Sequence, residues 1–143
     1  MRVVLADTSY FVAILHPRDG LHERALKVSE QMGQFKMVTT EMILSELLAY
    51  FGRKGQHLRY LAVSFVATLR ENPNTEIVPQ TSSQFREAFR LYRDRPDKAW
   101  SLTDCASIVL MKQRGFSEAL THDHHFVQAG FIALLVADAP PSE

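Results

Sequence analysis

Short apolar runs alternate along the chain with longer segments whose apolar residues recur every three or four positions. The short runs are typical of buried strands and cover residues 3–6, 37–39, 76–78, 119–121 and 132–136. The longer segments predict helices at residues 8–15, 21–32, 41–51, 58–69, 81 to about 93, 101–114 and about 124–129. Short strands separated by helices predict a parallel sheet that is covered on both faces. The expected fold is therefore an α/β domain with four to five parallel strands.

Residues that commonly begin or end helices occur at the ends of the predicted helices. Pro17 ends the first helix, because proline cannot continue one. Gly115 follows the segment that ends at residue 114, as glycine commonly does after a helix. Thr81, with Gln84 three residues later, fits a capping box that opens a helix. These local signals support the helix assignments independently of the apolar periodicity.

The composition indicates one globular domain. The chain has 143 residues, of which 46% are apolar, and this is enough to bury a single core. No repeat or linker interrupts it, so we expect one domain at residues 1–138 and a frayed tail at 139–143. The single cysteine, Cys105, excludes an internal disulfide and a cysteine-based zinc site.

The N-terminal segment does not predict a secreted protein. Arg2 is followed by only a short apolar run that ends at Asp7, which is too little for a signal peptide. No apolar stretch approaches the roughly 20 residues that a membrane-spanning helix needs. The expected location is therefore cytoplasmic.

The charges balance, with 16 basic and 16 acidic residues. A net charge of zero argues against a protein that coats nucleic acid by bulk electrostatics, although local contacts with nucleic acid stay possible. Basic residues cluster in two places, at Arg53, Lys54, His57 and Arg59, and at Arg86, Arg90, Arg93, Arg95 and Lys98. The ordinary interpretation of each cluster is a solvated helix face.

Two aspartates follow predicted strands directly. Asp7 ends the first apolar run, and Asp123 follows the run at 119–121. In parallel sheets, ligands bind beyond the carboxyl ends of the strands, so both carboxylates are candidates for a binding site. Each also has a purely structural interpretation, because aspartate is a favoured residue at helix starts and in turns. For Asp7 alone, the two interpretations are equally good.

Asp104 gives a stronger indication. Ser101 and Asp104 fit a variant of the capping box, which is a structural role. However, the helix that follows is apolar nearly all round, and Asp104 lies on the same ridge as Ile108 and Met111. An unpaired charge on a buried ridge is very costly, so this carboxylate needs a partner, and a metal ion would serve.

Glu46 lies in the middle of a predicted helix at the edge of its apolar arc, where most glutamates are solvated. It can join Asp7, Asp104 and Asp123 if its helix crosses the same edge of the sheet. Carboxylates packed together repel one another unless cations neutralise them. Oxygen ligands without cysteine point to Mg²⁺ or Mn²⁺. Such a site suits phosphoryl chemistry, in which the metal activates water and stabilises charge on the departing oxygen.

Four fragments in this order resemble the PIN domain family, and in size and pattern the VapC-type toxins of bacterial and archaeal toxin–antitoxin pairs. They are VVLADTS at 3–9, SE at 45–46, SLTDCA at 101–106, and THDHHF at 121–126 with AG at 129–130. Each fragment is weak alone, but the ordered set spans essentially the whole chain. Cys105 stands where the family commonly has alanine, a small change that should cost nothing.

The resemblance implies a parallel sheet between helices and a metal-dependent ribonuclease at residues 1–138. By this resemblance, four carboxylates bind divalent metal and act in catalysis, namely Asp7, Glu46, Asp104 and Asp123. Hydroxyl residues would support them, namely Thr8 or Ser9, and Ser101. It further implies an RNA substrate, a homodimer, and an antitoxin protein that silences the enzyme at its active site.

Three other functions compete with this one. His122, His124 and His125 could form a transition-metal site, but side chains so close in sequence do not converge easily. A phosphatase could use Asp7, but it would need a second aspartate two residues on, where Ser9 stands. A non-catalytic RNA- or protein-binding module could share the fold, although the filling of all four acidic positions argues against it.

The first helix and the helix of Glu46 carry more apolar residues than one face of each would need. We therefore predict that some of them lie at an interface, either between two copies or against an antitoxin helix. The candidates are Phe11, Leu15, Leu44, Leu48 and Phe51.

Overall fold

A computed structural model describes residues 1–136. In that part of the chain, five strands alternate with seven helices. In chain order they are β1 (Arg2–Ala6), α1 (Thr8–Leu15), α2 (His22–Met32), β2 (Phe35–Thr40), α3 (Glu41–Phe51), α4 (Gln56–Glu71), β3 (Thr75–Val78), α5 (Ser82–Asp94), α6 (Leu102–Arg114), β4 (Glu118–Leu120), α7 (His124–Gln128) and β5 (Ile132–Ala133). The predicted frayed tail, residues 139–143, lies outside the described residues.

All five strands are parallel, in the order β3-β2-β1-β4-β5. The chain moves in one direction from β1 through β2 to β3, and then returns across the sheet to β4. Because such crossovers are right-handed, the returning helices α5 and α6 lie on the opposite face from α1, α3 and α4. The single-domain α/β fold with helices on both faces, expected from the sequence, is confirmed.

The order of the strands determines where a ligand can bind. The strands β1 and β4 are neighbours, but the chain leaves them in opposite directions, towards β2 and towards β5. A crevice opens beyond the carboxyl ends of strands at such a switch point. Asp7 follows β1 at this position, and the segment from Thr121 to Asp123 follows β4.

Four of the five apolar residues predicted as interface candidates belong to the core or pack against it. Phe11 and Phe51 are fully buried, Leu44 is nearly so, and Leu15 is half-buried against the same cluster. Of the five candidates, Leu48 alone is exposed. The other four are in the core because α3 packs against α1, α4 and β2 together, so it buries more than one face, and the prediction that some of the five lie at an interface now rests on Leu48.

The last predicted strand is shorter than its apolar run suggested. β5 ends at Ala133, and the chain then turns. Leu134 and Leu135 are nevertheless buried, and their backbone N–H groups donate to the carbonyls of Ala119 and Thr121. The run is apolar because it is buried, although most of it is not strand. Among the described residues, no helix is long and apolar enough to cross a membrane.

Candidate active site

Asp7 is held at the end of β1 by the neighbouring strand. Its backbone N–H continues the ladder by donating to the carbonyl of Leu120, at 3.1 Å. Asp7 is the N-cap residue of α1, but its buried side chain makes no capping hydrogen bond, so capping does not account for the carboxylate at this position. Instead, the Thr121 hydroxyl donates to Asp7 Oδ2, at 2.8 Å.

The surroundings of Asp7 disfavour its negative charge. The pKa of the Asp7 carboxyl is raised to about 7, chiefly by burial and to a smaller extent by the nearby Asp104 and Asp123, while hydrogen bonds from the Thr121 hydroxyl and the Thr8 N–H oppose the increase. A carboxyl group with such a pKa binds a proton or a cation readily at neutral pH. This is the behaviour of a site that is built to receive positive charge.

Asp104 caps α6 and also lines the cleft. The Ser101 hydroxyl accepts from the Asp104 N–H and the Ser101 N–H donates to Asp104 Oδ2, each at 3.0 Å, which completes the capping box of α6. The same Oδ2 lies 2.8 Å from Nδ1 of His125. The side chain is buried and lines the crevice beside Asp7. Capping therefore fixes the orientation of a carboxylate that also faces the site.

His125 links Asp104 to Asp123. Its Nδ1 lies 2.8 Å from the Asp104 carboxylate and 3.1 Å from Oδ1 of Asp123. Because both neighbours are acceptors, this nitrogen carries a proton and donates it. Asp123 also begins α7, where Oδ1 accepts from the His125 N–H at 2.9 Å. The sequence did not place His125 among the site residues, although its position two residues after Asp123 was a usable signal.

Glu46 reaches the site from α3. The hydroxyl of Thr8, at the start of α1, donates to Glu46 Oε1 at 2.8 Å. Ser9 supports the opposite side, since its hydroxyl accepts from the His122 N–H at 3.1 Å and lies 3.2 Å from the Thr121 hydroxyl. The helix of Glu46 thus does cross the edge of the sheet where the aspartates lie.

These residues line one cleft of about 480 Å³. All seven of the predicted site residues are on its wall, namely Asp7, Thr8, Ser9, Glu46, Ser101, Asp104 and Asp123. Sequence reasoning missed three polar residues of the same wall, namely Asp19, Tyr50 and His125. Asp19 accepts from the N–H of Leu21 in a short turn after Pro17, so its sequence signal was that of a turn residue.

The donor set fits a hard divalent cation. Asp104, Asp123 and His125 offer ligand atoms that all lie within 4.8 Å of one another. Since His125 Nδ1 is occupied by the two carboxylates, the available donors nearest the switch point are carboxylate oxygens, the ligands that Mg²⁺ and Mn²⁺ prefer. Asp7 and Glu46 are not part of this tightest group but face the same cleft.

The competing sites are not formed by the described residues. His122 and His124 are exposed, their rings are 6.1 Å apart, and neither lines the cleft that His125 enters. Cys105 is buried in the cluster around α6, and burial raises the pKa of its thiol to about 11. A three-histidine metal site is therefore not supported, and Cys105 does not line the cleft.

Comparison with known proteins agrees with this geometry. A profile of the PIN domain matches residues 4–132. The chain belongs to the PIN domain family. The 23S rRNA-specific endonuclease VapC20 of Mycobacterium tuberculosis, found in strains CDC 1551 / Oshkosh and ATCC 25618 / H37Rv, is 22% identical over 130 residues. That match covers 91% of this chain and 96% of VapC20.

The fold is shared with the same relative. The crystal structure of Mycobacterium tuberculosis VapC20, described as a Sarcin-Ricin loop cleaving toxin, superimposes with a TM-score of 0.80 at 21% identity. The superposition covers 96% of this chain and 99% of that one. The family and the architecture predicted from the sequence are confirmed.

Proposed function

We propose that this PIN domain is a metal-dependent endoribonuclease and the toxin of a toxin–antitoxin pair. The observation that carries the proposal is the meeting of Asp7, Glu46, Asp104 and Asp123 in one cleft at the switch point of the sheet. Unneutralised, so many carboxylates would repel one another, so a cation is the expected companion. The similarity to an endonuclease that acts on 23S rRNA supports RNA as the substrate.

The residues that would hold Mg²⁺ or Mn²⁺ are the four carboxylates of the cleft. When bound, the metal would activate a water molecule and stabilise negative charge on the departing oxygen of the phosphodiester. The pKa of Asp7 supports this assignment, since a cation close to the carboxylate would favour its charged form and offset the cost of burial.

Hydrogen bonds from neighbouring side chains would hold the four carboxylates in position. Thr121 orients Asp7, Thr8 orients Glu46, and the Nδ1 proton of His125 holds Asp104 and Asp123 together. Each carboxylate is thus fixed by a hydrogen bond before any substrate arrives. Groups fixed in advance lose little freedom when the reaction occurs, and this lowers the barrier.

Three further assignments belong to the same proposal. As a toxin of this kind, the protein would act in the cytoplasm, form a homodimer, and be inhibited by a cognate antitoxin protein. The alternative of a phosphatase is disfavoured, because Ser9 stands where the second aspartate would be needed and its hydroxyl is occupied by the His122 N–H.

The decisive experiment is cleavage of a structured RNA by the purified protein. We expect cleavage with Mg²⁺ or Mn²⁺ and none in EDTA, with activity restored when metal is added in excess. Full activity in the chelator would refute the metal mechanism. RNA that is bound but not cleaved under any metal condition would favour the non-catalytic RNA-binding module instead.

A further inference from the structure

The outer face of α5 carries a row of exposed aromatic side chains. Phe85, Phe89 and Tyr92 follow one another at helical spacing, four and then three residues apart, so they lie along one side of the helix. They are 42%, 52% and 54% exposed. Large aromatic residues are seldom left in water to this extent without a binding role.

A row of arginines runs beside the aromatic row. Arg86, Arg90 and Arg93 repeat at the same spacing, each one position after an aromatic residue. Within the described residues, Arg86 and Arg90 form no ion pair, and Arg93 pairs with its neighbour Asp94. We call these six residues together the α5 surface. It is a local positive patch on a chain whose net charge is zero.

The two rows form a shallow groove. Phe85 and Phe89 stand nearly parallel, with ring centroids 6.4 Å apart and an angle of 12° between the rings. Together with the three arginines they line a depression of about 290 Å³. The groove therefore has apolar walls, made of the two rings and the aliphatic parts of the arginine side chains.

The direction of α5 relative to α6 places the end of the arginine row on the side of the fold where α6 begins. Gln113, near the end of α6, donates to Glu87 in the first half of α5 at 3.0 Å, and Leu91 in the second half of α5 packs against the cluster that contains Cys105 at the start of α6. The two helices are therefore antiparallel. The end of α5 is therefore near the start of α6, where Asp104 lies. From Arg86 to Arg93 the row extends about 10 Å along the helix axis, with Arg93 at the end nearer the cleft.

We propose that the α5 surface binds unpaired nucleotides of the RNA substrate outside the cleft. Bases would stack on Phe85 and Phe89, while phosphates would contact the arginine row, the combination by which proteins hold single-stranded nucleic acid. This inference rests on the proposed ribonuclease function and assigns part of its substrate recognition.

The charges of the surface favour RNA over a second copy of the chain. A symmetric contact between two α5 surfaces would bring Arg86 and Arg90 of each copy together, and within the described residues only Arg93 of the row forms an ion pair, with Asp94. RNA phosphates supply the missing negative charge. The aromatic row adds a preference for unpaired bases, because the faces of bases in a duplex are already stacked.

Two double variants separate stacking from charge. Binding is measured by fluorescence anisotropy in EDTA, with an oligouridylate of about 12 nucleotides and with an RNA duplex of the same length. F85A/F89A should weaken oligouridylate binding about fivefold or more and change duplex binding little. Arg86→Gln with Arg90→Gln should weaken binding of both and reduce the salt slope for oligouridylate by about 1.4, roughly 0.7 for each lost contact.

The matched control removes two exposed positive charges elsewhere, with Lys27→Gln on α2 and Arg70→Gln on α4. It should leave oligouridylate binding unchanged, and thermal melting should show that every variant is folded. Unaltered binding by both α5 variants would overturn the proposal. It would also be overturned if light scattering showed a wild-type dimer that F85A/F89A converts to a monomer, because the surface would then join two copies.

This test is independent of catalysis. The binding measurements are made without metal, so they test RNA binding by the α5 surface even if the protein cleaves no RNA. Conversely, cleavage in the presence of metal with unaltered binding by the α5 variants would support the proposed function and reject the α5 surface.

Discussion

Asp7 is the site residue whose charge the fold disfavours most clearly. Its carboxyl is buried and lies near Asp104 and Asp123, and its pKa is raised to about 7. An acid whose pKa is higher in the folded state than in the unfolded chain stabilises the fold while it is protonated. That stability is lost as the pH rises from about 4 to about 7. Without metal, Asp7 should therefore lower the free energy of unfolding at neutral pH.

We predict that Asp7→Asn abolishes RNA cleavage and, in EDTA, raises the melting temperature at pH 8 by a few degrees. The neutral amide keeps the shape of the side chain and removes the buried charge. The gain should disappear at about pH 4, where wild-type Asp7 is protonated. Thermal melts at several pH values, together with cleavage assays in Mg²⁺, would measure both effects.

The matched control for Asp7→Asn is Glu71→Gln, which neutralises an exposed carboxylate at the end of α4. It should retain cleavage and show no comparable gain in stability. Asp104→Asn should also lose cleavage yet remain folded, since its side-chain oxygen can still accept from the Ser101 N–H. An unfolded Asp104→Asn protein would show that capping is the main role of that residue.

At the scale of elements, Glu76 joins two strands and a helix. From β3 it accepts two hydrogen bonds from Arg114 at the end of α6, both at 2.8 Å, and lies 3.2 Å from Lys36 Nζ on β2. The hydrogen bonds from Arg114 lower the pKa of Glu76 to about 2. This network fixes the edge strand β3 to the helix that carries Asp104 at its other end.

We predict that Glu76→Gln lowers the free energy of unfolding by about 1 kcal/mol or less at pH 7, because the pair is partly exposed and screened by solvent. The lowered pKa means that Glu76 stabilises the fold above about pH 4.5, and that this stability is lost as the pH falls towards 2. Urea unfolding at pH 7 and at pH 3 should show the difference between variant and wild type shrinking.

Asp97→Asn provides the control for that measurement. Asp97 pairs with Arg95 two residues away, and its pKa is also lowered to about 2, but it is fully exposed and joins no separate elements. We expect no measurable change in stability. If Asp97→Asn lowered the free energy of unfolding as much as Glu76→Gln does, the link between β3 and α6 would not explain the effect of Glu76.

At the scale of the whole molecule, the proposed toxin role requires partners. Leu48 is exposed on α3, and Tyr60 and Val63 are exposed on α4, so apolar surface remains on these packed helices. The acidic cleft would accept a cation from an inhibitor, most naturally an arginine, which pairs with carboxylates through two hydrogen bonds. An antitoxin with an amphipathic helix and a basic residue would meet both requirements.

We therefore predict a homodimer that forms a stable, inactive complex with a small protein encoded by a neighbouring gene. Light scattering would give the mass of the isolated protein, and co-expression followed by a cleavage assay would test the complex. A strict monomer that is harmless when expressed and co-purifies with no product of that gene would contradict the toxin role. Metal-dependent cleavage by such a monomer would still support the nuclease.

The sequence by itself determined the features that depend on neighbouring residues. Helix ends at Thr81, Ser101 and Gly115 are confirmed, because capping joins groups only a few positions apart. At Thr81 only half of the predicted capping box forms, since the Gln84 N–H donates to the Thr81 hydroxyl but the Gln84 side chain does not bond back to the Thr81 N–H. Asp7 and Asp123 could be placed at strand ends by the apolar runs before them. The parallel α/β fold followed from the alternation of elements, since buried strands joined by helices have few other arrangements.

Tertiary structure alone decided which of these residues meet. The bond from Thr121 to Asp7 joins residues 114 positions apart, and it exists because β4 pairs with β1. Glu46 reaches the cleft only because α3 crosses that edge, and His125 reaches Asp104 because α7 follows β4. Packing around α3 likewise buried Phe11 and Phe51 in the core. Such contacts leave no local pattern, because they depend on strand order and helix crossing rather than on the residues beside them.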